Sequence, residues 1–236
     1  MNAKHPSLSA LDTIAPPPGT TDRAAPALPP AAARVLRNTY ALLALTVLFS
    51  AAVAATGAAL TWPHPGLVAT LIGSFGLLYL THKLSHSGWG LLSVFALTGF
   101  MGYTLGPVIA QALSMPGGSQ VVTMALGTTA VTFFALSGFV LATRKNFSFL
   151  GGFLFAGMVI ALVAALGAMF FQIPALALTV SAALVLLSVG LILFETSRIV
   201  HGGETNYILA TVGLYVSIFN LFASLLSLFG FGGGDE

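Results

Sequence analysis

Residues 175–229 read ALALTVSAALVLLSVGLILFETS (175–197), RIVHGGETN (198–206) and YILATVGLYVSIFNLFASLLSLF (207–229). Two long apolar runs joined by a polar connector too short to be a domain form a helical hairpin in a membrane. About 20 residues, at a rise of 1.5 Å each, cross the hydrocarbon core of a bilayer. In the first run Ser181, Ser188 and Glu195 recur every seventh residue, so they lie on one stripe of a helix with 3.6 residues per turn. In the second run Gly213, Ser217, Asn220, Ser224 and Ser227 fall within about 80° of arc. Tyr215, Phe219, Phe222, Leu226 and Phe229 take the opposite side. Small side chains let backbones approach, so this helix is expected to pack inside a bundle. Ser217 and Asn220 should then face protein, and Phe219 should not share their face.

Working outward, five more apolar stretches precede these two, near Thr39–Leu60, Gly66–Thr81, Trp89–Leu113, Gln120–Ala142 and Phe149–Phe171. The connectors Thr61–Pro65, His82–Gly88, Ser114–Ser119, Thr143–Ser148 and Gln172–Pro174 are short and contain Gly, Pro, Asn or Ser, the residues that end helices and form turns. Such loops leave no room for a soluble domain. The whole composition agrees: of 236 residues 57% are hydrophobic and only 6% charged, against a usual charged share of about 25%. The sequence therefore predicts an all-α polytopic membrane protein with seven transmembrane helices. The membrane domain runs over 34–236. Residues 1–33 hold seven of the twelve prolines and too few apolar anchors to offset chain entropy, so a disordered tail is expected there. No uninterrupted apolar run follows Lys4, so the tail does not read as a signal peptide.

The basic residues orient the bundle. Lys and Arg stand at 4, 23, 34, 37, 83, 144, 145 and 198. With seven spans all eight fall on one side, in the tail and in the second, fourth and sixth connectors, and the other connectors carry no charge. Short loops rich in Lys and Arg stay cytoplasmic. The N-terminus is thus expected inside and the C-terminus outside.

Several classes of function drop out. A net charge of +2 with no basic face does not fit a nucleic-acid binder, and a chain without cysteine is neither a disulfide scaffold nor a thiol enzyme. No H-E-x-x-H, G-x-S-x-G or Walker loop is present, so no protease, hydrolase or ATP-driven pump is indicated. The chain is not expected to be an enzyme or to bind a cofactor. His82 and His86 are spaced i,i+4 but have no nearby Cys, Asp or Glu in sequence, so no metal site is expected.

Glu195 is the one acid inside an expected span. Ionisable groups there are costly unless paired or hydrated, and they mark functional sites. One reading is a titratable latch or ion path made of Glu195, Ser217 and Asn220, with Lys83 as a cationic partner. The alternative is an i,i+3 pair with Arg198 at the interface. Gly102-Tyr-Thr-Leu-Gly106-Pro107 joins a small-xxx-small pair to a proline expected to kink the third span.

Several blocks resemble the Bax inhibitor-1 (transmembrane BAX inhibitor motif) family: Arg37-Asn-Thr-Tyr40, Thr98-Gly-Phe-Met-Gly-Tyr-Thr-Leu-Gly-Pro107, Thr143-Arg-Lys-Asn-Phe-Ser-Phe-Leu-Gly-Gly152 and, most specific, Phe194-Glu-Thr-Ser-Arg-Ile-Val-His-Gly-Gly-Glu-Thr-Asn-Tyr-Ile208 with Leu214-Tyr-Val-Ser-Ile-Phe-Asn-Leu-Phe222. The resemblance covers the chain from about residue 34 to its end and is nearest the bacterial YccA branch. It implies seven helices with the last one central and six around it. It also implies an interaction protein of the bacterial inner membrane that binds the AAA protease FtsH and limits its action. Other bacterial members are described as pH-sensitive calcium leak pathways closed by two acids. Glu195 matches the first acid, with Glu in place of the usual Asp. Ser217 stands where the second would be, and a carboxylate cannot share a proton with a serine as two carboxylates do. A Ca²⁺ or cation leak along the polar face of the seventh helix beside Glu195 is the alternative reading.

Overall fold

The computed structural model describes residues 29–231. The expected tail, apart from its last few residues, and the expected periplasmic end lie outside that range. Among the described residues there are seven helices: α1 (Pro30–Ala59), α2 (Leu67–Leu84), α3 (Trp89–Leu113), α4 (Gly118–Thr143), α5 (Gly151–Phe170), α6 (Pro174–Val200) and α7 (Tyr207–Phe231). A single 3-10 turn, Ser148–Leu150, leads into α5. All seven are long and apolar enough to cross a membrane.

Helix ends follow local chemistry. Proline opens α1 and α6 at a position whose N–H has no partner in the helix. Gly117, at φ +72°, precedes α4, and Arg144 closes it at φ +51°. Three ends differ from the sequence reading by about a turn or more, one of them that of α2, which runs to Leu84 rather than Thr81 and so takes in His82 and Lys83. The first helix begins at Pro30 rather than Thr39, so residues 30–33 are helical and not tail. At 30 residues it is about 45 Å long, more than the hydrocarbon needs, and its basic first turns extend beyond that layer. The sixth helix runs one turn further, to Val200, which places Arg198 on the same helix as Glu195. Helix α3 continues through Pro107 as one element.

Helix α7 is central. Half of its residues are buried, the largest share of any span, and it touches α1, α3, α4 and α6. The other two helices lie outside that ring: α2 leans on α3, and α5 leans on α6. Two three-helix units result, α1–α3 and α4–α6, each with its middle helix on the periphery. Since connections alternate, α1 and α3 run parallel to α7, and α4 and α6 run the other way.

The α1–α3 seam depends on missing side chains. A Cβ at Gly102 would come 2.5 Å from the backbone oxygen of Ser50, and one at Gly106 would come 3.1 Å from Cα of Gly57. The Gly102/Gly106 pair noted in the sequence is therefore the contact that brings these two backbones together. Tyr215 of α7 closes the junction from below. Its hydroxyl pairs with Ser50 Oγ at 2.5 Å and donates to the carbonyl of Thr98 at 3.2 Å.

Candidate functional site

The polar groups of the bundle concentrate where α6 turns into α7. Glu195 lies one turn from the end of α6 and its carboxylate rests on α7 at Gly213. A Cβ at Gly213 would come 2.8 Å from Glu195 Cδ. Only a residue without a side chain admits the carboxylate there. Arg198 Nη1 lies 3.4 Å from Glu195 Oε2, and its Nη2 donates to Glu204 Oε2 at 3.1 Å. Its guanidinium also sits over the ring of Phe194, 5.5 Å from the centroid. Both glutamates are only 13% exposed and Arg198 is 32% exposed. This is a partly buried acid–cation–acid triad and not a solvated surface pair.

The connector holds the triad by its own hydrogen bonds. Gly202 takes φ +72°, a conformation open to glycine, and the chain turns back so that the Gly203 amide donates to Arg198 O at 2.8 Å. Glu204 Oε1 accepts from the Asn206 amide at 2.9 Å, and Asn206 Oδ1 caps α7 by accepting from the Ile208 amide at 2.9 Å. The Asn206 carboxamide then donates to Ser85 O in the α2–α3 loop at 3.0 Å. On the other flank the Phe147 amide donates to Ser197 Oγ at 2.9 Å, and His201 Nε2 lies 3.0 Å from Arg144 O. The end of α6 and the six-residue connector 201–206 therefore tie the α2–α3 and α4–α5 loops together.

The structure divides the residues singled out in the sequence. Glu195 is in the triad, paired with Arg198. Lys83 is exposed near the end of α2, and both ion pairs among the described residues run through Arg198. Ser217 is buried but spends its hydroxyl on Gly213 O, 2.8 Å away on its own helix. Asn220 is half-buried one heptad beyond Gly213, and Phe219 is half-buried on another side of α7. Three residues that matter were not singled out: Glu204, Asn206 and the hydroxyl of Tyr215. The first two stand in the quoted 194–208 block, six and eight residues after Arg198. The third was counted with the aromatic face.

The arrangement limits the chemistry. Among the described residues no three His, Asp or Glu side chains converge. The two acids that do converge hold a guanidinium between them, the place a divalent cation would need. A cavity of about 710 Å³ lies between α1, α3, α4 and α7, lined mainly by aliphatic and aromatic side chains, with Tyr40, Ser50, Thr129 and Tyr215 as its hydroxyl-bearing residues. Two of those hydroxyls, of Ser50 and Tyr215, are paired with each other, and no charged group lines the cavity.

A sequence model of the family described as "Inhibitor of apoptosis-promoting Bax1" matches residues 32–234. Among similar curated proteins, an uncharacterized protein of Pseudomonas aeruginosa is 55% identical over 86% of this chain and 91% of its own length. The "Modulator of FtsH protease YccA" of Escherichia coli K12 is 54% identical over 86% of this chain and 92% of its own length. A protein of Escherichia coli O6:H1 with the same identity and coverage is named "Inner membrane protein YccA".

Proposed function

The chain belongs to the Bax inhibitor-1 family, and from that premise we propose that it is an inner-membrane protein that binds the FtsH protease complex and limits its action on other membrane substrates. The observation that carries this reading is the 54% identity, over nearly the whole of both chains, to a protein named as an FtsH modulator. The absence of any soluble domain between the described helices supports a modulator that works by contact. The calcium-leak alternative has less support, because Arg198 already occupies the gap between Glu195 and Glu204.

Co-purification from detergent tests the proposal. The tagged full chain should recover FtsH under conditions that keep FtsH with its other membrane partners, and failure to do so would overturn it. A second sample lacking residues 3–28 locates the contact. Retained FtsH assigns it to the bundle, and lost FtsH assigns it to the tail.

The same proposal fixes an orientation with the triad on the cytoplasmic side, supported by the placement of all eight Lys and Arg residues. Because the chain lacks cysteine, single substitutions report cleanly. Ser119→Cys, exposed in the first turn of α4, should react with an impermeant thiol reagent added to intact cells. Ser87→Cys and Asn146→Cys should react only after lysis. Labelling in the opposite pattern would invert the orientation.

A further inference from the structure

Helix α7 is the centre of the bundle, yet Ile218 and Phe219 in its middle are only half-buried. Both line the cavity of about 710 Å³. Its side walls are α1 and α4, which make no extended contact with each other: α1 packs mainly on α3 and α7, and α4 on α7 and α6. The walls meet at Tyr40 and Phe133, whose rings are 5.9 Å apart. From there the cavity runs away from the triad, as far as Ala59 at the end of α1 and Leu113 at the end of α3. Its lips, Ala51 and Ala55 on α1 and Leu126 and Ala130 on α4, are exposed. The result is a cleft closed near mid-depth, open sideways to the surroundings of the bundle and reaching toward one leaflet.

A membrane offers three occupants: water, a protein helix and a lipid chain. Water needs two to four polar partners, and the four hydroxyls of the lining do not supply them. Ser50 and Tyr215 pair with each other, Thr129 donates to Ala125 O at 2.7 Å on its own helix, and the Tyr40 hydroxyl is buried. A helix is too thick. Along α4 the lining runs from Val122 to Phe134, about 18 Å at 1.5 Å per residue. A helix about 10 Å across would displace about 1,400 Å³ over that length, twice what the cleft holds. A lipid chain fits. An apolar cavity of about 150 Å³ holds one benzene ring, and at that density 710 Å³ has room for about 28 carbons, more than one fatty acyl chain and less than two. The length also matches, since a single leaflet is about half of a hydrocarbon core about 30 Å thick.

We propose that the cleft between α1 and α4 binds an acyl chain of a membrane phospholipid, which enters sideways from the leaflet remote from the triad and lies against Ile218 and Phe219. On the orientation proposed above this is the periplasmic leaflet. The chain supports the central helix where no other helix does, and cavities left empty destabilise in proportion to their volume. No charged side chain lines the cleft, so the headgroup stays outside and recognition is of the chain alone. The site does not depend on FtsH, and its test uses the purified full chain without that protease.

The chain is reconstituted in vesicles of phosphatidylethanolamine and phosphatidylglycerol, one or the other carrying a diazirine midway along an acyl chain. Illumination inserts the resulting carbene into whatever side chain it touches, and mass spectrometry of peptides locates the adducts. Phe155 and Leu186, which face outward, report the lipid that surrounds any membrane protein. Adducts are expected there and also on Ile218 or Phe219, with either labelled headgroup. Ala55→Phe and Ala130→Phe replace exposed alanines on opposite lips and fill the cleft. Each should lower the α7 adducts several-fold and leave those on Phe155 and Leu186 unchanged. Unlabelled α7 in the unsubstituted chain, as expected of a cleft filled by a helix or by water, would overturn the proposal without recourse to a variant. So would α7 adducts that persist in both variants, and adducts from only one headgroup would overturn recognition by the chain alone.

Discussion

Gly102→Leu should yield no folded bundle, whereas Gly127→Ala in the same fold should be neutral or slightly stabilising. The two glycines differ in what surrounds them. At Gly102 the first added carbon would come 2.5 Å from the Ser50 carbonyl oxygen and 2.9 Å from its hydroxyl. The nearer atom is backbone and cannot rotate away, so α1 and α3 must separate. That separation also pulls Ser50 from Tyr215, and Tyr215 from the Thr98 carbonyl. Overpacking alone costs about 1–3 kcal/mol or more, and the lost buried hydrogen bonds add about 1 kcal/mol each. At Gly127 nothing lies within 4 Å, and exchanging glycine for alanine in a helix gains up to about 1 kcal/mol. Size-exclusion profiles and thermal unfolding in detergent check both. A monodisperse Gly102→Leu protein that unfolds near the native midpoint would show that this seam does not hold the bundle together.

The seam shows which parts of the fold a sequence reveals. The seven spans were legible because length, hydropathy and the one-sided placement of Lys and Arg all give the same count. The bounds expected for α3, Trp89–Leu113, are those observed. The start of α1 was not legible from an apolar window, because Arg34 and Arg37 interrupt the window but not the helix, which continues into the interface. The order of packing was also hidden. A short connector joins α1 to α2, yet α1 pairs with α3 because Gly102 and Gly106 let backbones touch, and α2 is displaced outward. Lys83 went outward with it.

The site was legible in the same uneven way. Glu195 and Arg198 are three residues apart on one helix, and their pairing follows from helical spacing alone. Glu204 joins them only because Gly202 takes a left-handed turn and returns the chain, and no periodicity encodes that. Tyr215 was counted with the aromatic face of α7, and its ring does pack there against Phe219. Its hydroxyl, however, reaches partners 165 and 117 residues away in sequence, a long-range match that one helical wheel does not contain.

Removing the guanidinium should be the most damaging single change outside that seam. In Arg198→Leu, two carboxylates that are each 13% exposed lose their shared cation while remaining held by Gly213 and by the Asn206 amide. Breaking a buried pair by deleting one partner costs about 3–5 kcal/mol. Arg198 is about one-third exposed, so solvent screening reduces this to about 2–4 kcal/mol. Arg198→Lys should recover only part, since two different guanidinium nitrogens reach two different acids and one ammonium does not reproduce that fork. The informative variant is the double one. If the harm in Arg198→Leu comes from stranded charge, adding Glu195→Gln removes one of the two stranded carboxylates, and the double variant should be more stable than Arg198→Leu alone. If Arg198 acts mainly by packing over Phe194, the two losses should add, and the double variant should be the less stable. Thermal unfolding of the single and double variants in detergent separates these outcomes. The charged reading further requires that the α2–α3 loop loosen with the triad, because Asn206 joins the connector to Ser85 O. Faster proteolysis or thiol labelling at Ser87→Cys in the Arg198→Leu background should accompany the loss of stability, and an unchanged loop would show that the connector holds its place without the ion pairs.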